Sequence, residues 1–104
     1  MLYHLDFNVE YGADMSQQDL FGIWAEEAVV ALGAKDAGAV VDLWKVAGER
    51  RVFVVVDVDG PDTLDQILLD LPIMKKMGQY VNVEVKALRR YEDFAADVKS
   101  RLAG

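Results

Sequence analysis

Residues 51–59, Arg-Val-Phe-Val-Val-Val-Asp-Val-Asp, constrain this chain more than any other stretch. In an extended backbone successive side chains point to opposite faces. Val52, Val54, Val56 and Val58 therefore share one face, and Arg51, Phe53, Val55 and Asp57 the other. A face of four valines has to be buried. Its opposite mixes apolar and charged groups, which fits a pocket or a subunit contact better than a dry core. A second extended run, 40–47, precedes it, with Val41, Leu43 and Lys45 on one side and Val40, Asp42, Trp44 and Val46 on the other. Gly48 gives the connecting turn backbone freedom, and Glu49, Arg50 and Arg51 keep it hydrated.

The flanking segments add a layer that can bury the valine face. Residues 2–10 alternate, with Tyr3, Leu5, Phe7 and Val9 opposite Leu2, His4, Asp6, Asn8 and Glu10. Ser16, with Asp19 three positions on, predicts a helix start, and the helix is expected from 17 to about 32, ending near Gly33. Its inward stripe is Leu20, Trp24, Ala28 and Ala31, flanked by Phe21, Ile23 and Leu32. Pro61 opens a second helix whose stripe is Leu64, Ile67, Leu68 and Leu71, and Pro72 is expected to stop it. A short segment, 73–78, leads to a fourth strand over 79–88. Tyr91, Phe94, Val98 and Leu102 then recur at helical spacing.

The order β-α-β-β-α-β plus a helix predicts one α+β domain over residues 1–104. The expected fold is ferredoxin-like, a four-stranded antiparallel sheet with both main helices on one face. One helical layer covers one face of a sheet. The other face collects Leu2, His4, Asp6, Asn8, Trp44, Phe53, Val55, Asp57, Tyr80, Asn82 and Glu84, and is left for another subunit's sheet or for a ligand.

Composition narrows the partners. Eleven basic against eighteen acidic residues give a net charge of −7, which repels nucleic-acid backbones and anionic lipid. No run reaches the ~18–20 apolar residues of a membrane span, and the first ten residues alternate like a strand rather than reading as a secretory signal. The absence of cysteine fits a reducing, cytoplasmic setting and removes thiol chemistry. No phosphate-binding loop, dinucleotide fingerprint, zinc spacing or Ser-His-Asp order is present. The expectation is a small-molecule substrate. One His and no Cys argue against a transition-metal site, and no motif calls for a cofactor. A carboxylate-rich metal site, flavin and haem stay open on these residues alone.

Glu27 is the acid best placed for chemistry. It lies three residues after Trp24 and four before Ala31, beside the apolar stripe, whereas Glu26 falls on the wetter side. Desolvation there disfavours the carboxylate and brings its titration towards neutrality, as a general base requires. The plain alternative is a helix-flank Glu that reaches solvent or pairs with a cation. His4 is either a proton carrier or donor, or a half-buried hydrogen-bonding residue. Trp44, Phe53 and Tyr80 either floor a pocket for a planar ring or form a subunit contact. Met74 and Met77 with Lys75 and Lys76 read as a flexible basic rim, or as solvated surface.

The strings LWKVAGERRVFVVVDV, LDQILLDLPIMKKM and MLYHLDFNV, within residues 1–88, resemble the muconolactone isomerase family, small cofactor-free enzymes of aromatic catabolism. The resemblance implies a dimeric α+β barrel that assembles into rings, hence a homo-oligomer. It also implies that Glu27 aligns, without a gap through Gly38 and Trp44, with the acid these isomerases carry. The chain departs from the family pattern in three places. Glu49 stands where a histidine or another group suited to the lactone carboxylate is usual, residues 73–77 replace an aromatic-proline-aromatic stretch, and Ala28 replaces a basic residue.

The expected activity is a cofactor-independent double-bond shift in a small unsaturated lactone or carbonyl compound. Glu27 would move the proton, His4 or Tyr80 would stabilise the dienolate, and Trp44, Phe53, Tyr80 and Glu49 would contact substrate. Two alternatives stand beside it: a cofactor-free monooxygenase or polyketide cyclase of the same fold, and a non-catalytic assembly protein whose open face is only an interface.

Overall fold

A strand from Arg51 to Asp57 pairs antiparallel with one from Leu2 to Val9, setting Val52, Val54 and Val56 beside Phe7, Leu5 and Tyr3. The valine face is therefore buried by register, as its pattern requires. The computed structural model describes all residues, 1–104. In chain order the elements are β1 (Leu2–Val9), α1 (Gln17–Asp36), β2 (Val40–Lys45), β3 (Arg51–Asp57), α2 (Pro61–Asp70), α3 (Pro72–Met77), β4 (Val81–Leu88) and α4 (Tyr91–Leu102). A single 3-10 turn, Gly78–Tyr80, joins α3 to β4. The strands form one antiparallel sheet in the order β2-β3-β1-β4, the ferredoxin-like arrangement expected from the sequence.

Two apolar clusters hold the layers together. In the first, Tyr3, Leu5, Phe7, Val40, Val54 and Val56 of the sheet pack against Leu64 of α2. In the second, Val9 at the end of β1 meets Leu20 of α1 and Ile73 and Met77 of α3. Leu20 and Met77 are fully buried, so the N-terminal half of α1 is clamped to α3. Ser16 caps α1 reciprocally: its hydroxyl accepts from the Asp19 N–H at 3.1 Å, and the Asp19 carboxylate accepts from the Ser16 N–H at 3.0 Å.

Several sequence expectations change in detail. Val40 was assigned to the face of Trp44, but a bulge between Val40 and Asp42 adds one residue and turns Val40 into the core opposite Val56. Pro72 does end α2, because extended Leu71 precedes it, yet it also occupies the first position of α3, where a missing N–H costs nothing. Residues 73–77 are consequently helical. Met77 is core, and Lys76 pairs with Glu26, so this segment is not a flexible rim. Strand β2 stops short of the expected 47 because Val46 and Ala47 enter the turn, where Gly48 takes φ +80°, and β3 ends at Asp57 rather than 59 as the chain leaves the sheet towards Pro61. α1 runs four residues past the expected end before Gly38, at φ +92°, reverses the chain. In α4 nothing is buried, and Tyr91, Phe94, Val98 and Leu102 are all exposed.

Candidate active site

α1 is held at both ends and stands off in the middle. Leu20 fixes its start in the second cluster, and Ala34 near its end packs on the first. Between them the sheetward positions include Ala28 and Ala31, too small to fill the space down to the sheet. The result is a cavity of about 810 Å³ on the helix side of the sheet. Leu5, Phe7, Val9, Val52 and Val54 form its floor, Trp24, Ala28 and Ala31 its roof, and Leu68, Leu71 and Ile73 one wall. Exposed Gly48, Glu49 and Arg50 of the β2–β3 turn, with Lys45, form its mouth. A mostly apolar cavity of this size, with a few polar groups converging on it, is the usual form of a small-molecule site.

Glu27 lies in that lining, half-buried. One carboxylate oxygen accepts the Ile73 backbone N–H at 3.3 Å, which holds the side chain against the α2–α3 junction. The Leu71–Pro72 break that starts α3 is what presents this N–H, the first orphan donor of the short helix after proline. Burial pushes the Glu27 pKa above its ordinary value, and the Ile73 hydrogen bond offsets part of the rise. Neighbouring Glu26 faces outward and pairs with Lys76, as the helical phase indicates.

Of the other residues singled out from sequence, Glu49 also lines the cavity. Trp44 borders it through β2, while its register opposite Phe53 keeps its side chain on the other face of the sheet, as the alternation predicts. His4 and Phe53 do not line it. They lie on the opposite face of the sheet, with ring centroids 5.3 Å apart, and Arg51 stacks 5.5 Å from the Phe53 ring. Arg51 also forks onto Asp6, its Nε and Nη2 donating at 2.8 and 2.5 Å, which holds the Asp6 carboxyl below its usual range. Tyr80 sits in the 3-10 turn before β4, outside the alternation that placed it on the open face. Its ring packs so closely on Gly12 that a Cβ there would come within 2.6 Å of Cε2. The structure therefore does not bring His4 or Tyr80 to Glu27. The expected aromatic pocket under the open face is replaced by a cavity on the other face.

Sequence reasoning missed Arg50, read only as turn hydration, and the double role of Trp24, read only as core. The guanidinium of Arg50 lies 4.8 Å from the Tyr11 ring centroid, and both residues line the cavity. A signal existed, since a cation immediately after the turn of the valine hairpin must lie near an end of the sheet. No three His, Cys, Asp or Glu side chains converge as a metal site would require. No helix is long and apolar enough to cross a membrane.

Residues 1–93 match the profile of the family described as Muconolactone delta-isomerase. Muconolactone Delta-isomerase 2 of Acinetobacter lwoffii is 30% identical over 91 residues, covering 88% of this chain and 91% of that protein. Muconolactone Delta-isomerase of Pseudomonas putida is 28% identical over the same shares of each chain. A crystal structure of muconolactone isomerase superposes with a TM-score of 0.72 at 29% identity, covering 86% of this chain and 90% of that one. The family match ends within the first turn of α4.

Proposed function

The chain belongs to the muconolactone delta-isomerase family, and on that premise we propose that it is an isomerase in which Glu27 carries the proton. It shifts a double bond in a small unsaturated lactone or carbonyl compound. The observation that carries the assignment is a carboxylate made more basic by burial, facing a ligand-sized apolar cavity beside the sheet. The ionised Glu27 takes a proton from carbon adjacent to the unsaturated carbonyl system, and the electron pair delocalises onto the carbonyl oxygen as a dienolate. The same carboxyl group, now protonated, returns the proton two carbons away and the double bond moves. Atoms and electrons balance within the substrate, so the chemistry calls for no redox partner.

The purified chain should therefore convert muconolactone to its shifted-bond isomer without added metal or cofactor, followed by the change in ultraviolet absorbance. An unchanged spectrum at high protein concentration would overturn the assignment. The cavity beside Glu27 also weighs against a purely architectural role, because close packing is what an interface element without a ligand would be expected to show.

We also place the protein in the cytoplasm as a homo-oligomer. Absence of cysteine supports the first. Supporting the second, Val29 and Leu32 on α1, Trp44 on β2, and Tyr91 and Leu102 on α4 are all more than half exposed. So much exposed apolar surface is unusual for a monomer. Sedimentation at micromolar concentration is expected to give a multiple of 11.6 kDa, and a single species at that mass would contradict the assembly.

A further inference from the structure

The mouth of the cavity carries a cation whose hydrogen-bonding capacity is only partly used. Arg50 Nε donates to the Val9 carbonyl at 3.0 Å, and the guanidinium lies over the Tyr11 ring, 4.8 Å from its centroid. These two contacts fix the plane of the group. Its terminal nitrogens have no carboxylate within ion-pair reach, although Glu49 is the adjacent residue, and the chain carries a surplus of acids. Every other arginine except Arg101 is paired with an aspartate: Arg51 with Asp6, Arg89 with Asp97 and Arg90 with Asp57. Arg50 is the arginine that lines the cavity.

We infer that Arg50 is the anion anchor of this site, selecting substrates that carry one carboxylate on a small apolar unsaturated body. Both terminal nitrogens present N–H groups in the fork that matches a carboxylate, while the apolar floor and roof take the ring. Because Nε and the ring stack already hold the side chain, little rotamer freedom remains to be lost on binding. Lys45, the other cation in the lining, donates to the Val46 carbonyl at 2.9 Å and offers a point charge without a fork. The inference rests on the isomerase reading for the reacting end of the substrate, at Glu27, but its own evidence is the binding geometry at the opposite, open end.

The test compares muconolactone, which bears a carboxylate, with its methyl ester, which does not. Binding is read by the fluorescence of Trp24, which roofs the cavity, and turnover by absorbance. For wild type the acid should bind more tightly than the ester. Arg50→Gln should weaken acid binding and raise its KM roughly 10- to 100-fold, as loss of a charge-assisted pair does, while kcat and ester binding stay within about twofold. Arg50→Lys should recover part of the loss. Lys45→Met should cost less than Arg50→Gln.

Equal losses at Arg50 and Lys45 would show that overall charge rather than the fork holds the anion, and would overturn the assignment. So would a wild type that binds the acid no better than the ester, or binds neither. A wild type that prefers the acid, loses that preference in Arg50→Gln, yet turns over neither compound would sustain the anchor and sink the isomerase reading.

Discussion

Glu27→Gln is expected to lower kcat for lactone isomerisation roughly 100- to 10,000-fold, the usual worth of a positioned acid–base group, with little change in substrate binding. Gln keeps the size of the side chain and an oxygen that can still accept the Ile73 N–H, so α1 and the α2–α3 junction should remain in place. What it lacks is a group that exchanges a proton. The variant should also be no less stable than wild type at neutral pH. Burial raises the Glu27 pKa in the folded state, so the folded chain holds this proton more tightly than the unfolded chain does. Between the ordinary value and the raised one, stability falls as pH rises, and above that window the cost persists. Gln removes the cost. A variant that unfolds readily would assign Glu27 to structure, and one that keeps full turnover would remove it from the chemistry.

Leu20→Ala is expected to cost about 2–5 kcal/mol of stability, the range for deleting a fully buried leucine that its neighbours cannot collapse around. Leu20 is fully buried between Val9, Ile73 and Met77, and it clamps the start of α1 to α3. For a domain of this size the loss lowers Tm by roughly 10–20 °C. The effect reaches the site, because α1 spans the cavity as a beam fixed at its ends. Loosening one end lets the roof, with Trp24 and Glu27, settle towards the floor. Thermal unfolding with turnover measured well below Tm checks both parts. Loss of less than ~1 kcal/mol would mean that α1 is held by something other than this cluster.

Much of the architecture could be read from periodicity because alternation in strands is enforced by the pleat. Tyr3, Leu5, Phe7 and Val9 could bury their side only by facing the helices, and the valines of β3 had to join them in register. Glu27 was legible for the same reason, since helical phase separates it from Glu26. What alternation could not show was where the empty space lies. The open face looked like the pocket because it mixes aromatics with polar groups, yet there His4, Phe53, Arg51 and Asp6 satisfy one another. The cavity depends instead on the small residues Ala28 and Ala31, and in a sequence these read as close packing as readily as a gap. Tyr80 and Val40 were misplaced by local irregularities, a three-residue 3-10 turn that takes Tyr80 out of the strand and a bulge that turns Val40 to the other face.

The central claim is that Glu27, made more basic by burial under α1, is the group whose ionisation turns the reaction on. Site-resolved carboxyl NMR of Glu27, set beside the pH dependence of kcat/KM for muconolactone, tests it most directly. The carboxylate is the active form, so kcat/KM should fall as pH drops through the Glu27 pKa. The two measurements should agree at a value above the ordinary 4.5. A Glu27 that titrates at or below 4.5, or an acid limb that follows some other pKa, would contradict the account.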